Sequence, residues 1–311
     1  GAGPGAGPVE GRGSPVFVSR ATEAGGRASR CEGTVEAELR GEWRRVVTYH
    51  GDWDLEAAAA VCRGLDCGSA VSTEVRGGSD RSKVWSVKTD CVKKSSVRDC
   101  LFDDSSSSLL QVICSDSVRL VGGRSLCSGS LQIQDQSLAQ SWAGVCEGAL
   151  DRRGAEVLCR ELGCGAPLLQ GALSPLGQTF HCEGNESKLM DCNRTRTGPE
   201  TCPTLNLTCK EPLRLVGGAS RCEGTVEAEL RGEWRRVVTR YDDWDLEAAA
   251  AVCRGLDCGS AVSTEKTRGS DRSKVWRVFT DCVKKSSVRD CLFDDSSSSL
   301  LQVICSGQQG A

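Results

Sequence analysis

The sequence predicts an α+β protein of three tandem, disulfide-stapled domains, and three observations carry that reading. The chain of 311 residues holds 20 Cys, an even and high count that points to bridges made in an oxidising compartment. Residues 28–115 recur at 219–306 with a constant offset of 191, and 80 of the 88 positions are identical. All six cysteines of the two copies coincide, and a divergent middle unit carries the remaining eight. Cys31 to Cys127 spans 96 residues and Cys127 to Cys222 spans 95, so the unit repeats evenly. Domains of roughly this size bury too little core to dispense with cross-links.

The domains are placed at 28–115, 118–210 and 213–306. Residues 1–27, Gly/Pro-rich from Gly1 to Gly13 and without an apolar signal-peptide core, are expected to be a disordered tail or a misassigned start. Where the third unit opens with Arg214-Leu215-Val216-Gly217-Gly218, the first has Glu23-Ala24-Gly25-Gly26-Arg27, so its leading strand is expected to be missing or poorly formed. The joints, Ser115 to Ser117 and Lys210 to Pro212, are short, which predicts a stiff rod of domains.

Within the first unit, Gly33 to Leu39 alternates Val35, Ala37 and Leu39 on one face, the pattern of a half-buried strand. Trp43 to Val47, Val84 to Thr89 and Leu109 to Cys114 read as further strands. Asp54 to Arg63 reads as the one helix, with a carboxylate to cap its start and Gly64 to end it. No apolar run reaches the roughly 18 residues that a transmembrane helix needs. A net charge of −3 disfavours a field aimed at nucleic acid or anionic lipid.

Two chemistries compete for the cysteines and histidines. The Cys62/Cys67 and Cys159/Cys164 pairs approach the spacing of zinc sites, but two histidines and the cysteine-rich, secreted-type composition argue for bridges. A nucleophilic enzyme needs a positioned imidazole. His50 becomes Tyr241 in the second copy and His181 abuts Cys182 with no visible partner, so no enzyme is expected. The chain's three asparagines, Asn185, Asn193 and Asn206, all stand in N-x-[ST] and are expected to carry glycans on the middle unit.

Val118-Arg119-Leu120-Val121-Gly122-Gly123, Cys127-Ser128-Gly129 and the run from Ala155 to Gly165 resemble a scavenger receptor cysteine-rich (SRCR) domain. Cys182-Glu183-Gly184-Asn185-Glu186 through Leu189 to Cys192 continues the pattern, and the resemblance covers roughly residues 28–306. It implies three tandem SRCR domains, each a curved β-sheet cradling one α-helix. It also implies a bonding order: Cys127–Cys164, Cys146–Cys202, Cys159–Cys209 and Cys182–Cys192 in the middle unit. The outer units lack both halves of one bridge, with Arg45 and Val46 near the second cysteine's place and Ser105 to Ser108 in the region of the seventh. That leaves Cys31–Cys67, Cys62–Cys114 and Cys91–Cys100, with equivalents Cys222–Cys258, Cys253–Cys305 and Cys282–Cys291. The outer units are therefore expected to be less stable than the middle one.

The family's cation site is built from acids after the second cysteine and the Glu of Cys-x-Gly-x-Glu. Carried over, it makes Glu147, Asp151 and Glu186 candidate Ca²⁺ ligands in the middle domain, although Gly148 replaces the second acid. No cofactor is required. In the outer units Asp52 and Asp54, and Asp242, Asp243 and Asp245, face Lys93-Lys94 and Lys284-Lys285 where the Glu region would be.

The eight differences between the copies mark a candidate ligand edge. Six fall in two triplets, Tyr49-His50-Gly51 against Arg240-Tyr241-Asp242 and Val75-Arg76-Gly77 against Lys266-Thr267-Arg268. The others are Ser86/Arg277 and Lys88/Phe279. Arg240, Tyr241, Arg268, Arg277 and Phe279 are the candidate ligand-binding residues, since Arg and aromatics dominate interface hot spots. The resemblance implies an extracellular region, secreted or the ectodomain of a membrane protein, that recognises protein or polyanionic ligands in innate immunity. The alternatives are an adhesion receptor with one protein partner, or an accessory region of a larger secreted protease or oxidase.

Overall fold

The structure, a computed structural model, describes residues 16–19, 29–134, 142–168, 179–195 and 202–307. The first domain runs β1 (Val16–Ser19), β2 (Glu32–Leu39), β3 (Glu42–Thr48), α1 (Leu55–Gly64), β4 (Ala70–Arg76), β5 (Ser82–Val87), α2 (Thr89–Lys94), β6 (Phe102–Ser106) and β7 (Leu109–Cys114). Its sheet is ordered β4-β7-β2-β3-β5-β6, with β1 on β2. The middle domain has β8 (Val118–Gly122), β9 (Ser128–Gln134), β10 (Trp142–Gly144), α3 (Arg152–Glu161), β11 (Phe180–His181), β12 (Asn193–Arg194) and β13 (Asn206–Thr208). The third has β14 (Leu213–Gly217), β15 (Glu223–Leu230), β16 (Glu233–Thr239), α4 (Leu246–Gly255), β17 (Ala261–Val278), α5 (Thr280–Lys285) and β18 (Phe293–Cys305).

Local chemistry explains these elements and corrects several expectations. The Asp54 carboxylate accepts the Ala57 N–H and starts α1, but Gly64 is the last helical residue, and Asp66 takes the left-handed conformation at φ 53°. The strand expected at Val84 to Thr89 is β5, and Thr89 opens a second short helix, α2. The leading strand of the first domain is present. β1 sets Val18 opposite Val35, as β14 sets Leu215 opposite Val226. The β-branched and aromatic run Val16-Phe17-Val18 supplies it from within the expected tail, 15 residues before Cys31, where Leu213 stands 9 before Cys222. The rest of residues 1–27 lies outside the described residues.

All 20 cysteines are bridged, with Cα separations from 4.8 to 6.0 Å, inside the range a disulfide spans. The first domain joins Cys31–Cys67, Cys62–Cys114 and Cys91–Cys100, and the third joins Cys222–Cys258, Cys253–Cys305 and Cys282–Cys291. The middle joins Cys127–Cys164, Cys146–Cys202, Cys159–Cys209 and Cys182–Cys192. Strand register shows what replaces the missing bridge. Arg44 lies opposite Ala37, as Ala143 lies opposite Ile133. Three residues further on, buried Val47, rather than Arg45 or Val46, takes the place of Cys146.

The joints are short and pinned. Gly68 donates its N–H to Ser115 O at 2.6 Å, and a Cβ there would collide with the carbonyls of Ser115 and Val118. The expected rod does not form, however, because the third domain folds back against the first. Arg289, after α5, inserts between the three domains. Its guanidinium donates to Leu162 O at 2.7 Å and Val71 O at 3.2 Å, while Asp290 accepts the Leu126 N–H at 3.0 Å. Glu211 is buried beside them, and Arg231 donates to Thr73 O at 2.6 Å.

Two outcomes follow for this junction. Arg289→Ala leaves Asp290 and Glu211 buried without their cation and should cost about 3–5 kcal/mol in urea unfolding of the oxidised chain. The identical change at exposed Arg98 should stay within about 0.5 kcal/mol. Burial pushes the Glu211 carboxyl up to about 7, Asp290 adds to that, and Ser287 and Arg289 oppose it. The docked state therefore binds a proton that the undocked state does not, and stability rises as pH falls from about 7 towards 4.5. Unfolding midpoints at about pH 5 and about pH 8 should differ in that sense, and Glu211→Gln should shrink the difference.

Candidate functional site

The two triplets meet. In the third domain the loop before α4 and the middle of β17 enclose a cleft of about 540 Å³ lined by Arg240, Tyr241, Asp242, Lys266, Thr267 and Arg268, with Ser299 behind. Three cations face one carboxylate, Asp242, which lies 3.5 Å from Lys266 Nζ, so the cleft is net positive. Aromatic packing supports the rim. Tyr241 sits 5.8 Å from Phe279, which lies 5.3 Å from Phe293, and the Arg240 guanidinium is 5.4 Å from the Tyr241 ring. Tyr241 itself is 58% exposed.

Of the five candidate ligand residues, Arg240, Tyr241 and Arg268 line the cleft and Phe279 packs beneath Tyr241. Arg277 does not reach it. Its guanidinium pairs with Asp295 and donates to Thr239 O at 2.7 Å, so it holds the sheet below the rim. The first domain builds the same corner differently. Tyr49 packs on Phe102 at 5.5 Å, Lys88 lies 5.8 Å from the Tyr49 ring, and Ser86 donates to Asp104. Where Gly77 stands, the backbone leaves the sheet between β4 and β5; with Arg268 in its place, β17 runs on as one strand of 18 residues.

Lysines cover the acids of the outer domains. Lys93 Nζ is 2.7 Å from Asp54 and 3.8 Å from Glu56, and Lys284 Nζ is 2.6 Å from Asp245 and 3.7 Å from Glu247. In the middle domain the expected cation ligands are not brought together. Asp151 caps α3 through the Gly154 N–H, Glu147 is exposed, and Glu186 accepts the backbone N–H groups of Glu183 and Gly184. Those backbone donors hold the Glu186 carboxyl below its usual range. Two of the three acids, Asp151 and Glu186, thus accept backbone N–H groups. Among the described residues, the close groups of ligand-type side chains are Glu56 with Cys282 and Cys291, and Glu186 with Cys182 and Cys192. Their sulfurs are in disulfides and offer no thiolate.

His50 and His181 are both exposed, the latter with Nε2 3.3 Å from Thr195 Oγ1. The repeat pattern gives no sign of the junction residues Glu211, Arg289 and Asp290; Arg98 and Asp99, the counterparts of the last two, are exposed. Asn185, Asn193 and Asn206 are exposed, and on that ground glycosylation is proposed at all three. Enzymatic deglycosylation of the chain expressed through a eukaryotic secretory pathway should remove three glycans, all mapping to residues 118–210, and Asn→Gln at the three positions should abolish the mass shift.

Residues 25–117, 121–210 and 216–309 each match the scavenger receptor cysteine-rich domain family. The chain is 30% identical over 324 residues to the Mus musculus T-cell differentiation antigen CD6, covering 91% of this chain and 47% of that protein. It is 30% identical over 310 residues to the Mus musculus CD5 antigen-like protein, covering 86% and 84%. A crystal structure of CD5 domain III aligns at 27% identity and TM-score 0.26, over 31% of this chain and 95% of that one. The chain thus spans about half the length of CD6 and most of the CD5 antigen-like protein. Three successive family matches, over three sheet-and-helix units closed by ten disulfides, make this chain a member of the scavenger receptor cysteine-rich family.

Proposed function

We propose that the chain is the extracellular ligand-binding region of a scavenger-receptor-like protein, and that the cleft of the third domain is its recognition edge. One observation carries this reading: the two variable triplets, separate in sequence, converge on a single cationic cleft rimmed by an exposed tyrosine. Guanidinium groups at Arg240 and Arg268 suit sulfate, phosphate and carboxylate groups on a polyanionic surface. The relative named a T-cell differentiation antigen supports an immune setting. No helix among the described residues is long and apolar enough to cross a membrane.

A packed protein ligand is the second reading, favoured by Tyr241 over Phe279. Dextran sulfate binding to the full chain separates the two. Arg240→Ala with Arg268→Ala should weaken it about tenfold or more, and added salt should weaken the wild type steeply. Unchanged binding by the double variant would remove the cleft from the reading. Loss on Tyr241→Ala that persists at high salt would mark a packed protein contact. Grafting Tyr49→Arg, His50→Tyr, Gly77→Arg, Ser86→Arg and Lys88→Phe onto the first domain should add a second binding site per chain.

A further inference from the structure

The two near-identical domains meet through different faces, and each leaves free the face that its sister uses. On the first domain the contact is made by the start of α1 and by β4, at Leu55, Glu56, Val71 and Thr73. On the third it is made by the β15–β16 turn and the segment after α5, at Arg231, Ser286 and Arg289. Arg231 donates to Thr73 O at 2.6 Å, Arg289 to Val71 O at 3.2 Å, and Ser286 Oγ to the Glu56 carboxylate at 3.5 Å. All these positions are identical in the two copies, so both faces exist twice.

Burial shows which are occupied. Leu55 is 0% exposed, whereas its equivalent Leu246 is 47% exposed and Val262, equivalent to Val71, is 57% exposed. Conversely Arg98, Asp99 and Ser95 are exposed where Arg289 and Asp290 are buried, and Arg40 is exposed where Arg231 is half-buried. The contact is heterologous, and a heterologous contact between like units leaves a complementary pair of faces open at its ends.

We propose that the exposed Leu246–Val262 face of the third domain docks the exposed Arg40–Arg98 face of the first domain in a second copy of this chain. Leu246 and Val262 leave water there as Leu55 does within the chain. Arg40 takes the part of Arg231 towards Thr264 O, Arg98 that of Arg289 towards Val262 O, and Ser95 that of Ser286 towards Glu247. The Leu162 carbonyl of the middle domain, which receives Arg289 at 2.7 Å, has no counterpart in this second contact. Association between copies is therefore weaker than docking within the chain, and it depends on concentration.

Sedimentation velocity of the full chain up to about 100 μM tests this, a range that reaches micromolar affinities. Leu246→Glu blocks one face and Arg98→Glu the other, and both side chains are exposed, so unchanged melting confirms the fold. Arg40→Asn is a second block of the latter face, since Asn accepts the left-handed backbone at φ 53°. Wild type should sediment faster with concentration, while each variant alone should remain monomeric. An equimolar mixture of Leu246→Glu and Arg98→Glu chains should form a one-to-one complex, because each keeps the face that the other lacks. A monomeric wild type, association that survives either block, or a mixture that stays monomeric would overturn the proposal.

Discussion

Each outer domain is organised around a helix that brings very little apolar volume to its core. The buried face of α1 is Leu55, then Ala57 to Ala60, Val61 and Cys62, and α4 buries Ala248, Ala249, Ala251, Val252 and Cys253. Alanine removes little surface from water, so at roughly 25 cal/mol per Å² the helix is weakly held by burial alone. What fixes it is covalent. Cys62–Cys114 ties α1 to β7 across a separation of 52 residues, and Cys31–Cys67 ties the chain after the helix back to the start of β2. Each such closure is worth on the order of 3–4 kcal/mol in the chain-entropy account. Small side chains also let the helix sit close to the sheet, where Trp85 and Trp276 supply the bulk that the alanines do not.

With only three bridges each, the outer domains gain further order from one another. The junction that joins them is not the apolar contact usual between small domains. It buries Arg289, Asp290 and Glu211 and leaves Arg289 Nε and one Asp290 oxygen without hydrogen-bond partners. Such a cluster contributes little net stability against an apolar equivalent, but it tolerates few alternative positions. A guanidinium shared between Val71 O of the first domain and Leu162 O of the middle one fixes three bodies with one side chain.

The cleft illustrates a different kind of constraint. Several of the eight differences between the copies are coupled by packing rather than independent. Tyr49 covers Phe102 in the first domain, whereas Arg240 at that position leaves Phe293 to be covered by Phe279, which replaces Lys88. Ser86 and Arg277 each satisfy the same aspartate, Asp104 or Asp295, with a different reach. One aromatic layer is kept beneath the rim while the surface above it changes from one that carries Tyr49 and His50 to one that carries Arg240, Lys266 and Arg268.

Much of this was legible in the sequence, and the reason is physical. Strands such as β2 follow from alternation, α1 from its cap, and the domain count from cysteine spacing, because each is a local pattern or a repeat of one. The convergence of the two triplets was legible because two segments that differ between otherwise identical copies are readily explained as one surface. A carboxylate near a helix start has two uses, and only packing shows that Asp151 and Glu186 accept backbone N–H groups. The domain arrangement was illegible for a deeper reason. Ser95 to Leu101 and Ser286 to Leu292 are the same seven residues, yet Arg98 lies in solvent and Arg289 lies at the centre of the molecule. No property of the string distinguishes them. The distinction arises from what stands beside each copy, with Leu126 and Leu162 of the middle domain and Glu211 of the joint walling the second and not the first.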